Sequence, residues 1–441
     1  MGTSCLKSAS VLQDLKVTIH KTSTIFASKE MEKKSFFLSN IDRVVNFDVD
    51  TLHFFAANKA FSFQKVAEKL KKALEDALVH YSFLAGRLRL NPETKRLEID
   101  CNAKGAAFVV ASSKHKLSEI GDLAYPNPAY AQLIHKSEDL PLCAVQLTSF
   151  DCGGFAMGFT TSHAAFDGLS FKTFLDNLAA LAANKPLAVI PCHDRHLLAA
   201  RSPPRVNFPN PELIELDQSP TTGIESSVFD ASKEEVDFRI LKLSSKDILS
   251  LKEKAKGSTN ASNTGFNVIT AHIWRCKALS APYDPAGSST VLFAVDIRSK
   301  LNPPLPEGFA GNAVLTAFAS AKYEELEKGE FSRLVEMVKE GAERMSDEYA
   351  RCVIDRGELS DGFPRGDVLV SSWWRLGFEK VEYPWGKPKY CCPLVHHRKD
   401  IILLFPPFGA VGDDGINIIV ALPPKEMEKF ETLFHMFLPS V

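Results

Sequence analysis

The residues best placed to do chemistry lie in Phe159-Thr160-Thr161-Ser162-His163-Ala164-Ala165-Phe166-Asp167-Gly168-Leu169-Ser170. A strand pattern ends here, a short turn follows and a helix begins. His163 stands at the strand exit, and the small neighbours Ala164 and Ala165 leave room for a ligand. An imidazole there can serve as a general base, because its unperturbed pKa of ~6.5 allows proton uptake near neutral pH. Asp167 could orient that imidazole or act as a purely structural anion. The competing reading is plain: a histidine at a strand end is commonly a hydrogen-bonded core residue, and a His-x-x-x-Asp spacing often arises by chance. No Gly-x-Ser-x-Gly elbow is present, which disfavours a serine hydrolase. No His-Glu-x-x-His motif is present either, so a metal-dependent hydrolase ranks last.

Nine cysteines are scattered along the chain, an odd count that points to reduced thiols. Cys391 and Cys392 followed by His396 and His397 invite a zinc reading, but the spacing does not match the usual ligand pairs. Cys192-His193-Asp194-Arg195-His196 lies in a proline-flanked loop and is discounted likewise, so no metal is expected.

The 441 residues are 45% hydrophobic, enough for a large core in two or three domains. Charged residues make up 24%, which excludes wholesale disorder. A net charge of −2 gives no global electrostatic reason to bind nucleic acid or an anionic membrane. The apolar runs, such as Ile401 to Phe405, are strand-sized and far short of the ~20 residues of a membrane span. The N-terminal segment shows neither a secretory pattern nor, with Leu6 where Ser or Thr is needed, a myristoylation pattern. The expected address is the cytoplasm.

Regular elements must position His163. Residues 63–79 place Val66, Leu70, Ala73 and Leu74 at helical spacing. Arg87–Leu90 and Leu97–Asp100 read as a hairpin, and Leu142–Phe150 and Phe155–Thr161 as two strands. Leu169–Asn184 reads as a helix. Prolines crowd residues 186–225, which suits a long connection. Beyond it come a strand at Val236–Leu243, a helix capped by Ser244 or Ser245, and a helix at Thr264–Leu279. A strand at Leu292–Ile297 and one long helix at Phe331–Ile354 follow. Strands at Val368–Trp373, Ile401–Phe405 and Ile416–Ala421 and a helix at Pro424–Leu438 complete the pattern. The class is α/β with two sheets.

The His163 segment resembles the His-x-x-x-Asp-Gly motif of the plant BAHD acyl-CoA-dependent acyltransferases. Further blocks resemble that family in the same order. They are Leu38-Ser39-Asn40-Ile41-Asp42, Leu84-Ala85-Gly86-Arg87-Leu88, and Asp296-Ile297-Arg298 through Leu305-Pro306 to Gly311-Asn312. Ser372-Trp373-Trp374-Arg375 and Trp385-Gly386-Lys387-Pro388 continue the series. The resemblance spans residues 12–438 and is greatest, in motif detail, to the GLAUCE-type subgroup. One departure stands out: Glu382, Tyr383 and Pro384 replace the first three residues of the family's Asp-Phe-Gly-Trp-Gly signature, of which Trp385 and Gly386 remain.

The resemblance implies two similar-sized domains of mixed sheet plus helices, chloramphenicol acetyltransferase-like, with the active-site channel at their interface. It implies an N-terminal domain over 1–185, a crossover loop over 186–225 and a C-terminal domain over 226–441, part of 362–390 crossing back to the N-terminal sheet. It further implies transfer of an acyl group from an acyl-CoA co-substrate to a small alcohol or amine, with no bound cofactor and no acyl-enzyme. His163 would be the base, and Asp167 would pair with Arg298 as structural support. Trp373 or Ser371 would face the oxyanion. Thr51, His53 and Asn312 would line the acceptor channel, Gly311 with them. Lys252, Lys254 and Lys256 are candidates for the phosphates of coenzyme A, with a solvated helix face as the competing reading. The expected state is a monomer with no nucleic acid and no membrane span. A catalytically silent binding protein is the alternative, disfavoured because His163, Asp167 and Arg298 are all present.

Overall fold

The computed structural model describes residues 12–124, 127–209, 213–215, 236–256, 263–360, 362–394, 401–407 and 415–438. Its first half runs through β1 (Thr18–Ile25), β2 (Ser35–Phe37), α1 (Asn40–Val44), β3 (Asp48–Phe55) and α2 (Phe63–His80). β4 (Arg87–Leu90), β5 (Leu97–Asp100), β6 (Ala106–Ser113), β7 (Cys143–Phe150), β8 (Phe155–Ser162) and α3 (Gly168–Ala182) follow. After the connection come β9 (Leu213–Glu215), β10 (Asp237–Leu243), α4 (Ser245–Lys254), α5 (Gly265–Ser280), β11 (Ser288–Asp296) and β12 (Val314–Lys322). Next are α6 (Tyr323–Lys328), α7 (Phe331–Glu343), α8 (Asp347–Leu359), β13 (Gly362–Pro364), β14 (Val368–Ser372) and β15 (Tyr390–Pro393). β16 (Ile401–Phe405), β17 (Ile416–Leu422) and α9 (Pro424–Phe437) close the described chain.

Two six-stranded sheets organise the molecule, in the orders β1-β6-β7-β8-β3-β15 and β10-β17-β16-β14-β11-β12. β15 is the notable member: it comes late in the chain yet pairs antiparallel with β3 in the first sheet. Helices α2 and α3 bury their apolar stripes on one face of that sheet. α4, α5, α7 and α9 do the same for the second sheet. The remaining faces carry apolar residues too. Leu52, Phe54 and Ala156 of the first sheet meet Ile240, Leu403, Phe405 and Ile419 of the second in a shared core. This is a mixed α/β fold of two sheet-rich halves joined through their sheets.

One expectation from the pattern differs from what forms, and one strand forms where none was expected. The stretch Phe331–Ile354 is not one helix: α7 ends at Glu343, and Ser346 caps α8 by accepting from the Tyr349 amide. Asp347 and Glu348 in the first turn of α8 favour a new helix start, which outweighs the continuous helical spacing. The edge strand β12 gives little apolar signal because its inward positions include Ala317, Ala319 and Ala321. Close approach explains the small residue at one further point. A Cβ on Gly158 of β8 would stand 2.2 Å from the Leu133 carbonyl oxygen. Gly158→Ala should therefore lower stability by about 1–3 kcal/mol, seen as a lower melting temperature.

Candidate active site

β8 delivers His163 and α3 begins just after it. Asp167 is the N-cap of α3, accepting from the Ser170 amide at 2.9 Å. The turn between strand and helix is therefore pinned at both ends. At its start the His163 amide donates to the Phe47 carbonyl at 2.7 Å.

The His163 ring packs edge-on to Phe47 and borders a cavity of about 320 Å³. Its Nδ1 lies 3.1 Å from Asn312 Oδ1. The Asn312 amide nitrogen donates to the His163 carbonyl and to Asp42 Oδ1, both at 2.8 Å. Asn312 Oδ1 is an acceptor only, so His163 carries its proton on Nδ1 and keeps Nε2 free. Burial pushes the His163 pKa below its ordinary 6.5, partly offset by its own backbone, Asp167, Asn312 and Asp42. The imidazole is thus neutral at physiological pH. A reaction that needs the neutral imidazole should therefore have the acid limb of its kcat/KM profile below pH 6.5.

Asp167 does not engage the imidazole. Besides Ser170, its carboxylate accepts from the Ala313 amide at 3.0 Å and pairs with Arg298 at 2.8 Å. Arg298 Nη2 also donates to Ser170 Oγ and to the Gly311 carbonyl. Asp167 and Arg298 thus tie the His163 turn to the loop carrying Gly311 and Asn312.

Ser371, in β14, and Trp373, just past its end, also border the cavity. Trp373 packs between Phe378 and Phe405, while Trp374 turns away and donates its indole N–H to the Gly415 carbonyl at 3.1 Å. The remaining wall is largely apolar, with Phe166, Phe171, Leu376 and Phe378.

Other predicted site residues fall outside that wall. Val49 of β3 reaches the cavity, but Thr51 and His53 lie deeper along the strand and are buried. They bond to each other at 3.2 Å, and His53 Nδ1 lies 3.1 Å from Cys391 Sγ. Burial pushes the His53 pKa down to about 3. Asn312 acts on His163 from behind and does not border the cavity. None of Lys252, Lys254 and Lys256 borders it either. Lys254 Nζ donates to the Phe437 carbonyl at the end of α9, and Lys256 pairs with Glu253. Trp385 is buried on Phe55 and Phe155 and stacks on Tyr383, with Gly386 closing the turn at φ +117°. The departure from the family signature therefore lies in the packing of the first half, away from the cavity wall.

His396 and His397 lie outside the described residues. Among the described residues no cluster of histidine, cysteine and carboxylates is arranged to hold a metal. No described helix is long and apolar enough to cross a membrane.

Two residues of the site carried no assigned role in the sequence. Asp42 sits in the Ser39-x-x-Asp42 capping box of α1 and accepts from the Asn312 backbone and side chain. Arg195, in the loop discounted as a metal site, is buried beneath the His163 turn. The family-like Leu38–Asp42 block and its capping-box spacing were the available signals for Asp42; an arginine in a proline-rich connection gave none.

Residues 15–436 match the family model described as Transferase family. The chain is 54% identical to Acyltransferase GLAUCE of Arabidopsis thaliana, over 98% of this chain and 99% of that protein. The crystal structure of vinorine synthase superposes with a TM-score of 0.75 at 25% identity, covering 96% of this chain and 99% of that one. TRI101 of F. sporotrichioides, solved with coenzyme A and T-2, shares the fold with a TM-score of 0.71 at 13% identity, covering 89% and 96%.

Proposed function

The chain belongs to the Transferase family, the BAHD acyltransferases, and is an acyl-CoA-dependent acyltransferase; on that premise we propose direct acyl transfer to the hydroxyl of a small metabolite with His163 as base. The observation that carries the reading is the cavity itself. His163, whose Nδ1 is engaged by Asn312, borders it together with Ser371 and Trp373.

In this mechanism the acceptor hydroxyl loses its proton to His163 Nε2 as its oxygen attacks the thioester carbonyl. The resulting oxyanion takes a hydrogen bond from the Trp373 indole N–H or the Ser371 hydroxyl. Collapse breaks the carbon–sulfur bond, and the proton on His163 passes to the departing coenzyme A thiolate. Donors aimed at developing charge in a water-poor site contribute much of such a rate enhancement. If Trp373 is the donor, Trp373→Phe keeps the ring packing and should lower kcat about 100-fold.

The cavity volume is at the low end of small-ligand sites, which typically span ~300–1,000 Å³, and its aromatic wall suits an aromatic or simple acyl group. The reading extends to a cytoplasmic monomer in plant specialised metabolism. The test is free thiol release from a panel of acyl-CoAs with a pooled set of alcohols and amines, beside His163→Ala. Acceptor-dependent release lost in the variant supports the reading. No release with any donor, from folded protein that binds coenzyme A, would sink it in favour of a binding protein. Release that persists in His163→Ala would remove His163 as the base.

A further inference from the structure

We propose that Asp42 and Arg195 are positioning residues for acyl transfer, acting on His163 through the Ala164–Ala165 backbone and the Asn312 amide. The inference rests on His163 being the base, as proposed above. Neither residue borders the cavity, so neither touches substrate there.

The two side chains form an ion pair at 3.2 Å, and each is only 1% exposed. A buried ion pair is weak evidence for stability, because well-packed apolar residues often serve as well. Here the hydrogen bonds around the pair supply the reason for its charges. Arg195 Nη1 donates to the Ala164 carbonyl at 2.8 Å, and Nη2 to the Ala165 carbonyl at 2.6 Å. One planar guanidinium thus grips two successive carbonyls directly after His163. A third bond reaches the Ala310 carbonyl, on the loop that carries Asn312. The rings of Phe36 and Phe83, at 5.0 and 5.3 Å, hold the guanidinium in place. Lysine offers charge but no such fork.

Asp42 works on the other partner of the imidazole. Its Oδ2 accepts from the Ser39 amide and hydroxyl, which locks the carboxylate to α1. Its Oδ1 accepts from both the backbone and side-chain nitrogens of Asn312. The second hydrogen of the Asn312 amide goes to the His163 carbonyl. A flipped amide would set its oxygen against the carboxylate and that carbonyl, three acceptors with no proton between them. Asn312 Oδ1 is therefore fixed toward His163 Nδ1. Asp167 and Arg298 hold one side of the turn, and Asp42 and Arg195 hold the other.

The charged groups around His163 are Asp42 from α1, Asp167 from its own turn, Arg195 from the connection and Arg298 after β11. The Asp42 carboxylate favours the imidazolium. Removing that charge moves the acid limb of kcat/KM to lower pH.

The experiment compares the parent chain, Asp42→Asn and Arg195→Lys by pH profiles of kcat and KM, with melting temperatures measured in parallel. Activity of the parent tests the acyltransferase reading separately. Each folded variant should lose about 10- to 100-fold in kcat with KM nearly unchanged, as a displaced base would. Asp42→Asn should also show the lowered acid limb, which a purely structural role would not move. A folded variant with kcat within twofold of the parent, or an unmoved acid limb in Asp42→Asn, would overturn the proposal. So would failure of both variants to fold, which would make the pair structural only.

Discussion

Replacing His163 with alanine should reduce acyl transfer by about 100- to 10,000-fold at saturating donor, the usual worth of a positioned general base. The expectation follows from how the imidazole is held. Its Nδ1 is committed to Asn312, its backbone amide to Phe47, and the residue borders the cavity. The carboxylates bordering the cavity are already engaged: Asp167 by Arg298, Ser170 and Ala313. Asp296 borders the cavity but is paired with Arg298 at 3.0 Å. The turn itself is held through backbone carbonyls by Arg195 and through the cap by Asp167, so His163→Ala should fold. Steady-state kinetics beside a thermal melt checks both halves of the expectation. A rate within tenfold of the parent would mean that chemistry does not pass through this imidazole.

Asp167→Ala has the largest expected effect on stability. Its carboxylate is 3% exposed and binds a cation, a helix amide and the Ala313 amide at once. Removing one partner of a buried ion pair costs about 3–5 kcal/mol, because the other charge is left uncompensated. The partner here is 17% exposed and retains Asp296, which pulls the figure toward the lower end. The lost N-cap adds about 1 kcal/mol. Against a typical stability of about 5–15 kcal/mol, that is a large share. Urea unfolding should show the loss directly, and activity should fall with it, because the loop bearing Asn312 is released. Removing Arg298 as well should cost much less than the sum of the two single changes, since the pair would then be absent from both sides. Strictly additive losses would mean that the two residues act independently.

Much of this fold was legible because local pattern and global packing agree. The helix at residues 63–80 and the hairpin at 87–100 form where their periodicity places them. The two strands before His163 and the helix after it do so as well. The motif residues were legible through resemblance, and the pairing of Asp167 with Arg298 appears in the structure. The parts that escaped are those where the decisive information is not local. Asn312 lies 149 residues from His163 and 270 from Asp42, and no spacing rule relates them. Thr51 and His53 alternate correctly along their strand, yet only the depth of the cavity decides that Val49 reaches it and they do not. The lysines of α4 carry the right charge for phosphates, but the end of α9 claims one of them.

The late strand β15 has a consequence for how the chain is made. As residues emerge from the ribosome, β3 is left as an open edge until residues 390–393 arrive to pair with it. The apolar face bearing Leu52, Phe54 and Ala156 stays uncovered until the second sheet forms. At ~5–20 residues per second, that wait lasts on the order of tens of seconds. Through that interval the nascent chain carries an unpaired strand, a feature that invites aggregation. Translation that stops short of β15 would therefore release a fragment with an open sheet edge, and the supply of fully paired protein depends on elongation reaching β15, close to the end of the message.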